Sequence, residues 1–359
     1  MMRRGQFNDA ASLLTAGESL FEGLPSARRE LAALLLNLTR CSNWRGDTEA
    51  WERYARRAVA VHESLDDPAG LANALSWLSL FHKAMGQGET AIVVGERARN
   101  LAARSGNVPV HRNVNFHLLQ AHMGAGDTDR VLQLLDEGEA LAPGFGTTNV
   151  EQNYLAARFY VHFLRGEVAA ARDAGDRLLA MSKGKGRSVQ RVGYLLVVIE
   201  LYIDIGDWRL VRTLIDEAQA AADVHIAGGD SVWFATDLAF KQATLALADG
   251  RPADALALLP TTKPDEIDDR VHHAWIGAAA ARALGDTAGA MRRLDAVGAD
   301  EVAAVHPLVL WLEQRLAVAA EAARADATAV ARAEALLAAR RVPALLVERL
   351  RRALDAAPR

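Results

Sequence analysis

A tight turn recurs nine times along this chain, and eight of the nine open on glycine. The turns start at Gly5, Gly46, Gly86, Gly126, Gly166, Gly206, Gly250 and Gly285, with Ala325 as a degenerate ninth, and most stand 40 residues apart. A fixed period of roughly 20 to 50 residues marks stacked supersecondary units rather than one globular core. Each unit reads as two helices around its turn. In residues 188–222, Leu195, Val198, Ile199 and Tyr202 fall on one helical face, at the spacing of an amphipathic helix. Gly206 then supplies the left-handed backbone that closes the helix, and Asp207 caps the next one. No strand-like alternation is visible, so the chain reads as nearly all helix.

The G-[DE]-x-x-x-[AV] turn between paired amphipathic helices, seen best in GQFNDA (5–10) and GDWRLV (206–211), resembles the tetratricopeptide (TPR) repeat. The period near 40 is longer than the 34 of the commonest form. In that respect the chain is similar to the C-terminal repeat regions of bacterial signal-transduction ATPases and of large ATP-binding transcription regulators. The resemblance implies a right-handed superhelix of about eight helix pairs with an interaction or sensor role. First helices would line its concave surface.

The expected organisation is a single array over 1–359: an unpaired helix over 7–22, repeats over 26–341 and a capping helix over 343–357. Gly5 leaves no room for a helix before it, so Leu13, Leu14, Leu20 and Phe21 are expected to form an uncovered edge. On that basis the chain is expected to be part of a larger protein, with an ATPase domain upstream as one partner. Five residues after each turn stands a small residue, as close helix crossing requires, except at Trp51, where local splaying is expected.

The formal charge of −4 argues against a general nucleic-acid binder. The longest apolar run, Tyr194 to Ile203, is interrupted by Glu200 and is too short to span a bilayer. One cysteine, Cys41, permits no internal disulfide and points to a reducing compartment. A cytoplasmic protein is the expectation. Only five of 41 basic residues are lysine, which suggests a GC-rich bacterial genome.

No phosphate-binding loop, HExxH, cysteine cluster or GxSxG is present. No catalytic, cofactor or metal role is therefore assigned, and the chain reads as a non-enzyme. The nearest glycine-rich string, 181–188, reads as a basic connector. His82, His122 and His162 stand four residues before their turns, on the packing face, so they read as core residues rather than ligands.

A second ladder stands thirteen residues before successive turns: Asn73, Asn113 and Asn153, then Gly193, Asp237 and His272. It occupies the helix face opposite the apolar stripe. With the residues that follow on that face, it defines a candidate groove of Asn73, Lys83, Asn113, Phe116, Gln120, Asn153, Tyr160, Phe163 and Glu200. Amides both donate and accept, which suits them to a peptide backbone. The aromatic rings supply anchor surface. Asn at this point also fits a solvated or helix-start residue. Trp233, Trp275 and Trp311 read as packing residues, with Trp275 sharing the groove face with His272 and Arg282. The favoured partner is a protein or peptide segment, with no direct nucleic-acid or membrane contact. The alternative is a small-molecule sensor controlling an attached ATPase or transcription regulator.

Overall fold

The computed structural model describes residues 7–141, 148–183, 189–226, 232–261, 264–298 and 304–358. Among them are eighteen α-helices and two short 3₁₀ turns, and no strand. A first helix, α1 (Phe7–Glu22), precedes eight antiparallel pairs. The first four are α2 (Arg28–Arg45) with α3 (Thr48–Ser64), α4 (Pro68–Ala84) with α5 (Gly88–Ser105), α6 (Val108–Gly124) with α7 (Thr128–Ala140), and α8 (Thr148–Leu164) with α9 (Val168–Lys183). There follow α10 (Val189–Asp204) with α11 (Trp208–Ile226), and α12 (Val232–Ala248) with the short α13 (Pro252–Leu258). The last pairs are α14 (Ile267–Ala283) with α15 (Thr287–Asp295), and α16 (Val305–Glu321) with α17 (Ala327–Ala338). After them α18 (Val347–Ala356) closes the array. The Gly5 turn, residues 184–188 of the basic connector and the side chain of Trp233 lie outside the described residues.

The turn grammar is local chemistry. The described turn glycines all take positive φ, and the residue after several of them caps the next helix. Asp47, for example, accepts from the Ala50 amide at 3.0 Å, and Asp286 from that of Gly289 at 2.7 Å. The ninth turn departs from the expected position. Its left-handed residue is Ala323 (φ 49°), not Ala325. The Ala323 amide donates to Ala320 and that of Arg324 to Ala319, matching Gly46 to Asn43 and Asp47 to Ser42. Two extra residues then precede the capping Asp326, which displaced the sequence ruler.

Two glycines test what the turns carry. At Gly206 (φ 76°) an added Cβ would meet only Trp208 Nε1, 3.9 Å away. At Gly166 (φ 71°) it would fall 2.6 Å from the Ala344 Cβ, in a segment four repeats on. Gly206→Ala is expected to cost only the left-handed penalty, about 1–2 kcal/mol. Gly166→Ala should cost about 1–3 kcal/mol more, because two rigid methyl groups then overlap. Urea unfolding of the two variants reads the difference.

Small residues after the turns do let the helices cross closely, with Ala91, Val131, Ala171, Val211, Ala255 and Ala290 all fully buried. Trp51 is buried as well, edge-on to Phe81 at 5.5 Å, beside Ala55 and Ala84, whose small side chains leave it room. On α1, Phe7 stacks on Trp44, and Leu14 and Phe21 pack inward, while Leu13 and Leu20 are exposed.

First helices face the interior, and the array winds until units about five apart touch. Lys83 on α4 pairs with Asp268 on α14. Thr48 bonds Asp265, Trp44 packs on Phe234, and Phe163 on α8 meets His306 on α16. The superhelix is thus closed at its centre.

Candidate functional site: the buried polar centre

The centre is built from the C-terminal ends of α4, α8 and α10 and from α12, α14 and α16. Lys83 Nζ donates to Asp268 Oδ2 at 2.7 Å, and the other oxygen of that carboxylate accepts from the Ala304 amide at 2.7 Å. Lys241 Nζ donates to Glu200 Oε1 at 2.5 Å and lies 3.3 Å from Asp237 Oδ1. His306 Nε2 donates to Asp204 Oδ2 at 2.8 Å, with both side chains almost wholly buried. His272 Nδ1 donates to the Asp268 carbonyl at 2.9 Å, which turns its Nε2 toward Glu200 at 4.0 Å.

Charge is unevenly balanced here. Burial raises the Glu200 carboxyl, but the charge of Lys241, together with those that His306 and His272 carry when protonated, outweighs it and holds the group at about 2. Burial likewise works against Asp268, which Lys83 holds below its ordinary value. Burial pushes Glu266 up to about 6, with Lys83 opposing and Asp268 adding to the rise. Asp269 goes well above the usual carboxylate range, through burial and the charges of Glu266, Asp237 and Asp268. Tyr160 is raised well above its ordinary value by burial and by the surrounding carboxylates, Glu200 first among them. Burial lowers His306, yet Asp204 wins and raises it, whereas burial and Lys241 together lower His272.

The structure distributes the nine groove residues over two zones. Lys83, Tyr160, Phe163 and Glu200 come together in the polar centre: Phe163 is fully buried and packs edge-on to Tyr160 at 5.5 Å. Asn73, Asn113 and Asn153 lie nearer the N-terminal ends of their helices, with Phe116 at the middle of α6 and Gln120 between the zones. Ten residues of helix between Asn73 and Lys83 set the zones about 15 Å apart. In this second zone Asn113 Nδ2 donates to Asn73 Oδ1 at 3.3 Å, the Tyr194 hydroxyl donates to Asn153 Oδ1 at 3.0 Å, and Phe116 packs on Tyr154. All three asparagines are half-buried, as are Phe116 and Gln120.

The histidine ladder has a role that packing alone does not describe. His82, His122 and His162 each place Nδ1 against the side chain five residues on: Gln87 at 2.5 Å, Asp127 at 3.2 Å and Glu167 at 2.5 Å. They brace the turn. His62 and Asp67 repeat the geometry at 3.0 Å.

Asp204, Lys241, Asp268 and His306 belong to the centre, and the groove set lacked them. The signal for Lys241 was present, since it lies one helical turn after Asp237 on the ladder face. His306 was hidden by the two-residue displacement of the last turn. Counted from Ala323, Leu310 takes the ladder position thirteen residues back, and His306 stands seventeen back, as Asp268 does from Gly285. Leu310 and His306 both line a cavity of about 20 Å³ in the centre, with Glu200, Phe240, Lys241, His272 and Trp275.

No family model matches the chain, and no curated protein does. Among solved structures it aligns with a chain of the structure of Naa15/Naa10 bound to HypK-THB, at 14% identity and a TM-score of 0.35. The alignment covers 98% of this chain and 55% of that one, so the chain spans about half the length of the protein it matches. No helix among the described residues is long and apolar enough to cross a membrane.

Proposed function

We propose that this chain is a non-catalytic interaction module that holds an extended protein segment along the asparagine zone of its first helices. The observation that carries this reading is the Asn73–Asn113 step. Successive repeats place half-buried amides side by side, and the one bond between them leaves Asn73 Nδ2 and Asn113 Oδ1 with no partner among the described residues. A donor and an acceptor set one repeat apart match the alternating groups of an extended backbone. Phe116 and Gln120 flank the step, and Asn153 continues it. The bacterial regulatory setting, with an ATPase or transcription regulator attached, belongs to this proposal through the repeat resemblance.

The immobilised chain is expected to retain a protein from lysate of its source cells. The Asn73→Ala/Asn113→Ala pair should retain it at least about tenfold less well, with unchanged helical circular dichroism. Equal retention by both forms, or none by the parent chain, overturns the reading.

A sensor reading draws on the convergence of Lys83, Tyr160, Phe163 and Glu200 in one short arc. The cavity there, about 20 Å³, is far below the roughly 300–1,000 Å³ of small-molecule pockets. It has room for one water-sized or ion-sized body.

A further inference from the structure

We propose that Glu200, His272 and His306 form a binding site for a divalent metal ion of the zinc class, where α10, α14 and α16 meet. A carboxylate oxygen of Glu200 and one ring nitrogen from each histidine all lie within 4.8 Å of one another. Each atom needs to close in by less than about 1 Å to reach zinc bonding distances of roughly 2.0–2.2 Å. Two imidazoles with one carboxylate are a donor set suited to zinc and its neighbours rather than to calcium or magnesium.

Both histidines are already oriented. Metal-bound imidazoles as a rule donate their second ring N–H to a carboxylate or a carbonyl, which fixes the tautomer. His306 does so to Asp204 at 2.8 Å and His272 to the Asp268 carbonyl at 2.9 Å. The remaining nitrogen of His306, Nδ1, is buried and has no hydrogen-bond partner, on a residue only 3% exposed. Trp275 Nε1, from the same cavity lining, is buried without an acceptor as well. Lys241 now supplies the positive charge beside Glu200, and its contact with Asp237 gives the ammonium a second carboxylate to hold when a metal takes the first. A metal here ties together three units of the closed arc.

Zinc titrated into the full chain is expected to bind at one equivalent and to raise the melting temperature by several degrees. The cobalt-loaded chain should show the intense visible absorption of a four-coordinate site. His272→Ala and Glu200→Gln should each weaken binding by more than about 100-fold. Zinc affinity unchanged in both variants, or a pale six-coordinate cobalt spectrum, overturns the proposal. So does a chain that takes up no zinc, in which case the cavity holds only water. If a variant fails to fold, X-ray absorption of the zinc-loaded parent chain decides. Two imidazoles and one or two oxygens are expected, and an all-oxygen shell overturns the site.

Discussion

Lys241→Ala is expected to lower the unfolding free energy by about 3–5 kcal/mol, read by urea titration at neutral pH. The Lys241 side chain is only 5% exposed and faces two carboxylates, Glu200 and Asp237, that are themselves mostly buried. Removing the ammonium strands both charges where water cannot solvate them, and this penalty exceeds the packing lost with the side chain. The Glu200 carboxyl, held at about 2 by Lys241 with His306 and His272, should then titrate much higher. A control separates charge from shape. Lys241→Met combined with Glu200→Gln and Asp237→Asn removes all three charges and keeps their volume, so most of the stability should return. If the triple variant is as unstable as Lys241→Ala, the loss came from packing and the electrostatic account fails.

Acid should destabilise the fold through His117, beginning above the range where ordinary carboxylates titrate. This imidazole is buried on α6, edge-on to Trp77 at 4.7 Å, with Nδ1 donating to Ser76 Oγ at 3.1 Å. Burial is the main reason its pKa falls from 6.5 to about 4, and the Arg40 charge adds to the fall. An unfolded chain takes up a proton on this residue below 6.5, whereas the folded chain does so only below about 4. The contribution is therefore complete above 6.5 and is lost as the pH falls through that window. The total is about 3 kcal/mol. His117→Leu keeps the packing and removes the titration, so its stability should fall less steeply than the parent's between these limits. Ser76 Oγ retains its own bond to the Asn73 carbonyl in that variant. Parallel stability–pH curves for the two proteins would show that His117 is not the group responsible.

The two zones of the inner face differ in how far local pattern reveals them. Asn73, Asn113 and Asn153 share one position relative to their turns, and a helix of known pitch then puts them on one face. Their neighbourhood is legible because both the turn and the face are set within a single repeat. The polar centre is not legible in that way. Asp268 carries no sign that it will meet Lys83, 185 residues earlier, nor His306 that it will meet Asp204, 102 residues earlier. Both pairings depend on where the winding array returns. Ala323 shows a smaller failure of the same kind. A two-residue insertion ahead of Asp326 leaves the turn chemistry intact but shifts the count, which removed His306 and Leu310 from view.

The sequence by itself determined the repeating unit: helix spacing, left-handed turn glycines, capping aspartates and small residues at the crossings, all of which act over a few residues. It also determined that first helices carry a polar ladder. Only the tertiary structure decided that the ladder's C-terminal end is drawn into a largely buried charged centre with an ion-sized cavity. The reason is geometric. Each repeat adds a small rotation to the last, and only the sum over about five units settles whether the inner face stays an open groove or closes on itself. The recurring turn fixes each step, and the accumulated angle fixes what the steps enclose.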